Sequence, residues 1–171
     1  ALYNIVDRIY IGRLPGEGSL ALTGLGVCFP VLMLITALSS LIGTGGGARA
    51  SIYMGANDTE RAERILGTCT TSLVILAVVS TVLLQIFCEP MLMLFGGSSD
   101  TIGYATDYLT IYLWGSIFVE LSLGLNFFIT AQGFSTMSMA TVLIGAVTNI
   151  VLDPILIFGW FGLPRMEVAG A

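Results

Sequence analysis

Histidine and lysine are both absent from this 171-residue chain, and all six basic residues are Arg. Without His, neither a Ser–His–Asp nor a Cys–His catalytic set can be assembled. Without Lys, the run Gly43-Thr44-Gly45-Gly46-Gly47-Ala48-Arg49 cannot be a phosphate loop, because that motif places Lys after its glycines. Six Arg against eleven acidic residues give a net charge of −5, which excludes a basic face for nucleic acid. Cysteine is scarce too. Cys28, Cys69 and Cys88 form no CxxC pair and are odd in number, so they support neither a zinc site nor a disulfide framework and read as small apolar residues. Charge of either sign is the largest deficit, at 10% of residues against roughly a quarter in average soluble domains. No stretch alternates apolar and polar residues at period two, which argues against a membrane β-barrel.

What the chain does have is apolar length. It is 56% hydrophobic with a mean hydropathy of +0.94. A membrane helix needs about 20 mostly apolar residues. Four segments meet that rule: about Ser19–Met54, Ala62–Phe87, Thr101–Ile129 and Met137–Trp160. A helix tail at Ala1–Ile11 precedes them, and Arg165–Ala171 would open another helix. The expected fold is all-α, a polytopic membrane bundle with about four complete and two partial helices. The chain reads as one incomplete domain of a longer protein. Short connections at Arg13–Gly18, Gly55–Arg61, Phe95–Asp100 and Gln132–Ser138 make successive helices antiparallel neighbours. Asn57 or Asp58 is placed to cap the helix after the second connection, and Glu89-Pro90 is expected to stop that helix at its far end. Arg49, Arg61 and Arg64 mark their end of the bundle as cytoplasmic. Gly43 and Gly47, four apart, form a small-residue face for close helix packing.

Charge inside a membrane segment costs about 2.5–3.5 kcal/mol on the insertion scale and calls for a role. Asp153 sits late in the last full segment, with Asn149 four residues before it on the same helical face. Pro154 follows and has no N–H, so the carbonyl of Ile150 loses its helical partner. A carboxylate, an amide oxygen and a free carbonyl then gather on one stretch, which suits a proton or a hard cation such as Na⁺. The bland alternative is pairing with a neighbouring helix and a simple kink at Pro154. Asp7, with Asn4 three residues earlier, can supply a second carboxylate or pair locally with Arg8. Glu120 is central in its segment: a candidate proton carrier or contact for a cationic substrate, or a protonated acid bonded to a nearby Ser or carbonyl. Tyr108 and Tyr112 share a face and can stack on a substrate, or belong with Tyr104 and Trp114 to an interfacial belt.

Several stretches together resemble one family. Tyr3-Asn4-Ile5-Val6-Asp7-Arg8-Ile9-Tyr10-Ile11-Gly12 and Leu20-Ala21-Leu22-Thr23-Gly24-Leu25-Gly26 with Phe29-Pro30 resemble the beginning of multidrug and toxic compound extrusion (MATE) transporters. Gly43–Gly47 with Tyr53-Met54-Gly55-Ala56, Leu125–Ile129 with Ala131-Gln132-Gly133, and Asn149-Ile150-Val151-Leu152-Asp153-Pro154-Ile155 continue the likeness in order. The resemblance implies a six-helix N-terminal lobe facing a C-terminal lobe of the same protein. It also implies a place in the cell membrane, a bacterial inner membrane by its nearest branch. The implied activity is export of drugs and organic cations in exchange for Na⁺ or H⁺, with no enzyme chemistry and no cofactor beyond the coupling ion. Carried over by position, Asp7, Asn149 and Asp153 would form the cation-coupling site. Competing readings are a flippase for lipids or lipid-linked sugars, disfavoured by the few basic residues, and a non-transporting membrane scaffold.

Overall fold

The computed structural model describes residues 8–12 and 18–158. Helix α1 is described over residues 8–11. It is followed by α2 (Gly18–Gly55), α3 (Thr59–Ile86), α4 (Cys88–Leu94), α5 (Ile102–Ala131) and α6 (Ser135–Phe158). Among the described residues there is no strand. α2, α3, α5 and α6 are each long and apolar enough to cross a membrane. At 1.5 Å per residue the 38-residue α2 is about 57 Å long, well beyond a hydrocarbon core of about 30 Å. The predicted boundaries agree to within a few residues. The expected sixth helix lies outside the described residues.

α3 ends at Ile86, just ahead of Glu89-Pro90 as expected, but the same pair then lies in the first turn of an unexpected short helix, α4. The physical reason is positional. The first-turn N–H groups of a helix have no internal partner, so a Pro there loses no hydrogen bond, and Glu89 in the same turn complements the helix dipole.

The turn between α2 and α3 is built from two polar residues with different tasks. Asn57 takes the left-handed conformation at φ 57° that reverses the chain. Asp58 then caps α3: its Oδ1 accepts the backbone N–H of Arg61 at 3.1 Å. Replacing Asp58 with Ala is expected to lower stability by about 1 kcal/mol, read as a small fall in the melting temperature of the full-length protein.

The chain forms two compact units. One comprises residues 8–12 and 18–30, Phe87–Tyr112 and residues 142–158; the other comprises Val31–Ile86 and Leu113–Thr141. In the first unit, Ile11, Ala21, Leu25 and Ile157 form a buried cluster with Tyr10, Leu22, Tyr104, Tyr108 and Phe158 packed against it. Cys28 is fully buried in this unit, with its Sγ 3.4 Å from the carbonyls of both Gly24 and Ala105. In the second unit, glycines let three helices close together. A Cβ on Gly43 of α2 would lie 2.8 Å from the backbone oxygen of Gly124 on α5, and a Cβ on Gly124 would meet Leu73 of α3 at 2.5 Å. This bears out the packing role expected of the Gly43–Gly47 stretch.

Candidate functional site

α6 carries a polar pair, Asp153 buried and Asn149 half-buried. Asn149 and Asp153 are one helical turn apart, and Asn149 Nδ2 donates to Asp153 Oδ1 at 3.0 Å. Asp153 is 3% exposed although ionisable. Asn149 Oδ1 is buried with no hydrogen-bond partner among the described residues. Pro154 sits inside α6, so the Ile150 carbonyl receives no N–H from the residue four ahead. The pair therefore offers a carboxylate, an amide oxygen without a donor and a backbone carbonyl within one turn. A buried oxygen without a donor is costly, and either a cation or an incoming hydroxyl would relieve it.

Packing fixes where that turn lies. Ile157, one turn beyond Asp153, belongs to the buried cluster with Ile11 of α1. Tyr10 meets Phe158 edge-on, with ring centroids 6.3 Å apart and planes at 89°. The end of α6 is thus held against α1, the helix whose preceding sequence contains Asp7. Asp7 and Asn4 lie outside the described residues. The neighbouring Arg8 places its guanidinium 5.5 Å from the ring centre of Phe29. No three His, Cys, Asp or Glu side chains among the described residues gather as a metal group, so any cation at α6 would need ligands from elsewhere.

Glu120 belongs to the second unit. It is fully buried on α5, and Ser80 Oγ of α3 donates to its Oε1 at 2.7 Å. Its Oε2 is buried without a hydrogen-bond partner. The bonded-to-serine arrangement is the one found here. Beside it, Thr81 and Ser116 hydroxyls lie 3.1 Å apart, and Ser116 Oγ donates to the Leu113 carbonyl at 2.7 Å. Sequence reasoning missed Ser80, Thr81 and Ser116. The signal was available: Ser116 stands one turn before Glu120 on the same helical face, and polar side chains at interhelical faces act as glue in membranes. Replacing Ser80 with Ala leaves both Glu120 oxygens without a donor and is expected to cost about 1–2 kcal/mol. Thermal unfolding of the full-length variant in detergent checks it. Tyr112 stacks with Tyr108 at 5.9 Å between centroids, and Trp114 is exposed.

With this geometry in place, relatives become informative. The MatE family model matches residues 1–155. The chain belongs to the MatE family. Its match to the multidrug export protein MepA of Staphylococcus haemolyticus is 30% identical over 170 residues, covering 99% of this chain and 36% of that protein. Its match to a protein named FAD transporter from Shewanella oneidensis is 26% identical over 169 residues, covering 99% of this chain and 37% of that protein. Among solved structures, that of MATE in the bent conformation superposes with a TM-score of 0.89 at 27% identity, covering 99% of this chain and 36% of the other. The chain thus spans roughly a third of the length of these relatives. MatE-family proteins are transporters rather than enzymes, and the four apolar spans make this chain part of a multi-pass membrane protein. Within the MatE framework, Asp153 stands out as a carboxyl group that is buried inside an apolar span and already bonded to its helix neighbour.

Proposed function

We propose that the full-length protein is an ion-coupled antiporter of the cell membrane. It exports small organic molecules, cationic ones first, in exchange for Na⁺ or H⁺. The observation that carries the reading is the Asn149–Asp153 pair, a buried carboxyl group bonded to an amide whose buried oxygen lacks a donor. Asp7 is the proposed second carboxylate. Asp7 precedes Ile11 by four residues as Asp153 precedes Ile157, and Ile11 and Ile157 share one buried cluster.

A cation or proton bound by Asp7, Asn149 and Asp153 offsets one unit of the negative charge that the two carboxylates bring together. It couples to export only if it binds the two access states with different affinity. Pro154 gives α6 a turn with one hydrogen bond fewer, which is where a change of bend is easiest. Glu120, Asn4 and Tyr112 are proposed as further contacts for substrate or proton. The remainder of the protein would supply the C-terminal lobe and the other wall of the substrate path.

The test uses the full-length protein in proteoliposomes, with a cationic dye and an imposed gradient of Na⁺ or of H⁺. One gradient is expected to drive dye export. If neither moves dye but FAD or a lipid probe crosses, the substrate class is wrong and the relatives of other specificity become the better guide.

A further inference from the structure

The second unit has an open groove of about 530 Å³ between α2 and α3. Its charged side chains are confined to one end. Arg49 and Arg64 stand at the end nearest the α2–α3 turn, with Ile65 beside them; farther from the turn the lining is Gly45, Ile42 and Leu41 on α2 and Thr68, Cys69 and Ser72 on α3. The two helices are joined by the short turn at Ala56–Asp58 and run antiparallel, so moving away from the arginines on either helix leads deeper into the membrane. From Arg49 to Leu41 is eight residues, about 12 Å along the helix. A cationic rim above an uncharged floor, apolar along its α2 wall, suits a phospholipid headgroup and its upper acyl chain.

The donors at the rim come from the arginines. Thr68 Oγ1 donates to the Arg64 carbonyl and Ser72 Oγ to the Thr68 carbonyl, so both hydroxyls are turned onto their own helix. Arg49 is exposed, and no carboxylate of the described residues lies within ion-pair distance of it. Arg64 Nη2 bonds Glu60 Oε1 at 2.7 Å, but both side chains are 77% exposed, which leaves that pair easy to exchange. The floor is open at Gly45, where an added Cβ would meet nothing within 4 Å.

We propose that this groove is a binding site for an anionic phospholipid, its phosphate held by the Arg49 and Arg64 guanidinium groups and its acyl chain lying over Gly45 toward Leu41 and Ile42. Guanidinium groups match phosphate oxygens in pairs, and basic recesses between membrane helices at the headgroup level select anionic lipids. The occupant is anionic because the charged side chains that line the groove are Arg49 and Arg64. It is a lipid rather than a free anion because the groove continues into apolar surface.

The test is native mass spectrometry of the full-length protein in mild detergent, with dioleoylphosphatidylglycerol and dioleoylphosphatidylcholine supplied in equal amounts. Wild type is expected to retain phosphatidylglycerol with roughly a tenfold preference, in keeping with attraction by two basic residues at an anionic headgroup. The Arg49→Gln/Arg64→Gln variant is expected to lose the preference. Gly45→Leu, which fills the floor while keeping both arginines, is expected to lose retention as well. Arg61→Gln, at the same helix end but outside the groove, is expected to behave as wild type. Equal retention of both lipids by wild type, unchanged retention in Gly45→Leu, or an equal loss in Arg61→Gln would overturn the proposal. So would displacement by inorganic phosphate alone, which would assign the rim to a free anion.

Discussion

Asp153→Asn is expected to lower gradient-driven export by the full-length protein by about 5- to 150-fold, the range spanned by coupling free energies of about 1–3 kcal/mol. The substitution keeps the shape of the side chain and an oxygen that can accept from Asn149 Nδ2, a bond of 3.0 Å in the native pair. It removes only the charge and the ability to exchange a proton. Folding should therefore survive, and the melting temperature in detergent should stay close to wild type. Asn149→Ala should give a smaller loss, because it removes a neutral ligand and the bond to Asp153 but leaves the carboxylate. Dye export by proteoliposomes under the driving gradient measures both. A variant that folds and exports at the wild-type rate would make Asp153 a packing element and remove the basis for coupling at α6.

The second large effect concerns packing. Gly43→Ala is expected to destabilise by about 1–3 kcal/mol, and Gly43→Leu by about 3 kcal/mol or more, with loss of folded protein. At Gly43 a Cβ would lie 2.5 Å from Phe127 Cδ2 and 2.8 Å from the Gly124 carbonyl oxygen. The phenyl ring can turn away, but the carbonyl belongs to the backbone of α5 and can move only with its helix. Gly46 is confined in the same way by Cys69 Sγ at 2.5 Å and Phe128 Cζ at 2.6 Å. Gly45, between them, is the internal control. Its open surroundings predict that Gly45→Ala is neutral or stabilising by up to about 1 kcal/mol through helix propensity. Thermal unfolding monitored by size exclusion separates the three positions. Equal tolerance at Gly43 and Gly45 would contradict the close approach of α2 and α5.

These two regions also show what could be read from sequence and what could not. The spans were legible because about 20 apolar residues bounded by polar turns have few other readings, and Gly43–Gly47 announced close packing by its spacing. The Asn149–Asp153 pair was legible because residues four apart on a helix must share a face. The helix α4 was not, because Pro90 after Glu89 reads as a stop in one dimension and becomes an acceptable first turn only when the chain restarts at Cys88. The partner of Glu120 was not legible either. Ser80 lies 40 residues away, and only the packing of α3 on α5 decides which of several Ser and Thr residues meets the acid. In sequence Arg49 and Arg64 mark only an orientation, since a shared groove depends on the register of two helices and not on either alone.

The most direct test of the coupling site is cation binding itself, measured on the purified full-length protein rather than through transport. Equilibrium binding of radioactive Na⁺, with proton release followed by a pH indicator, would be compared for wild type, Asp7→Asn and Asp153→Asn. One cation, Na⁺ or H⁺, is expected to bind per wild-type protein at this site and to be lost in each single variant, because both carboxylates serve the same ion. Undiminished binding in both variants would place the coupling ion elsewhere and contradict this assignment.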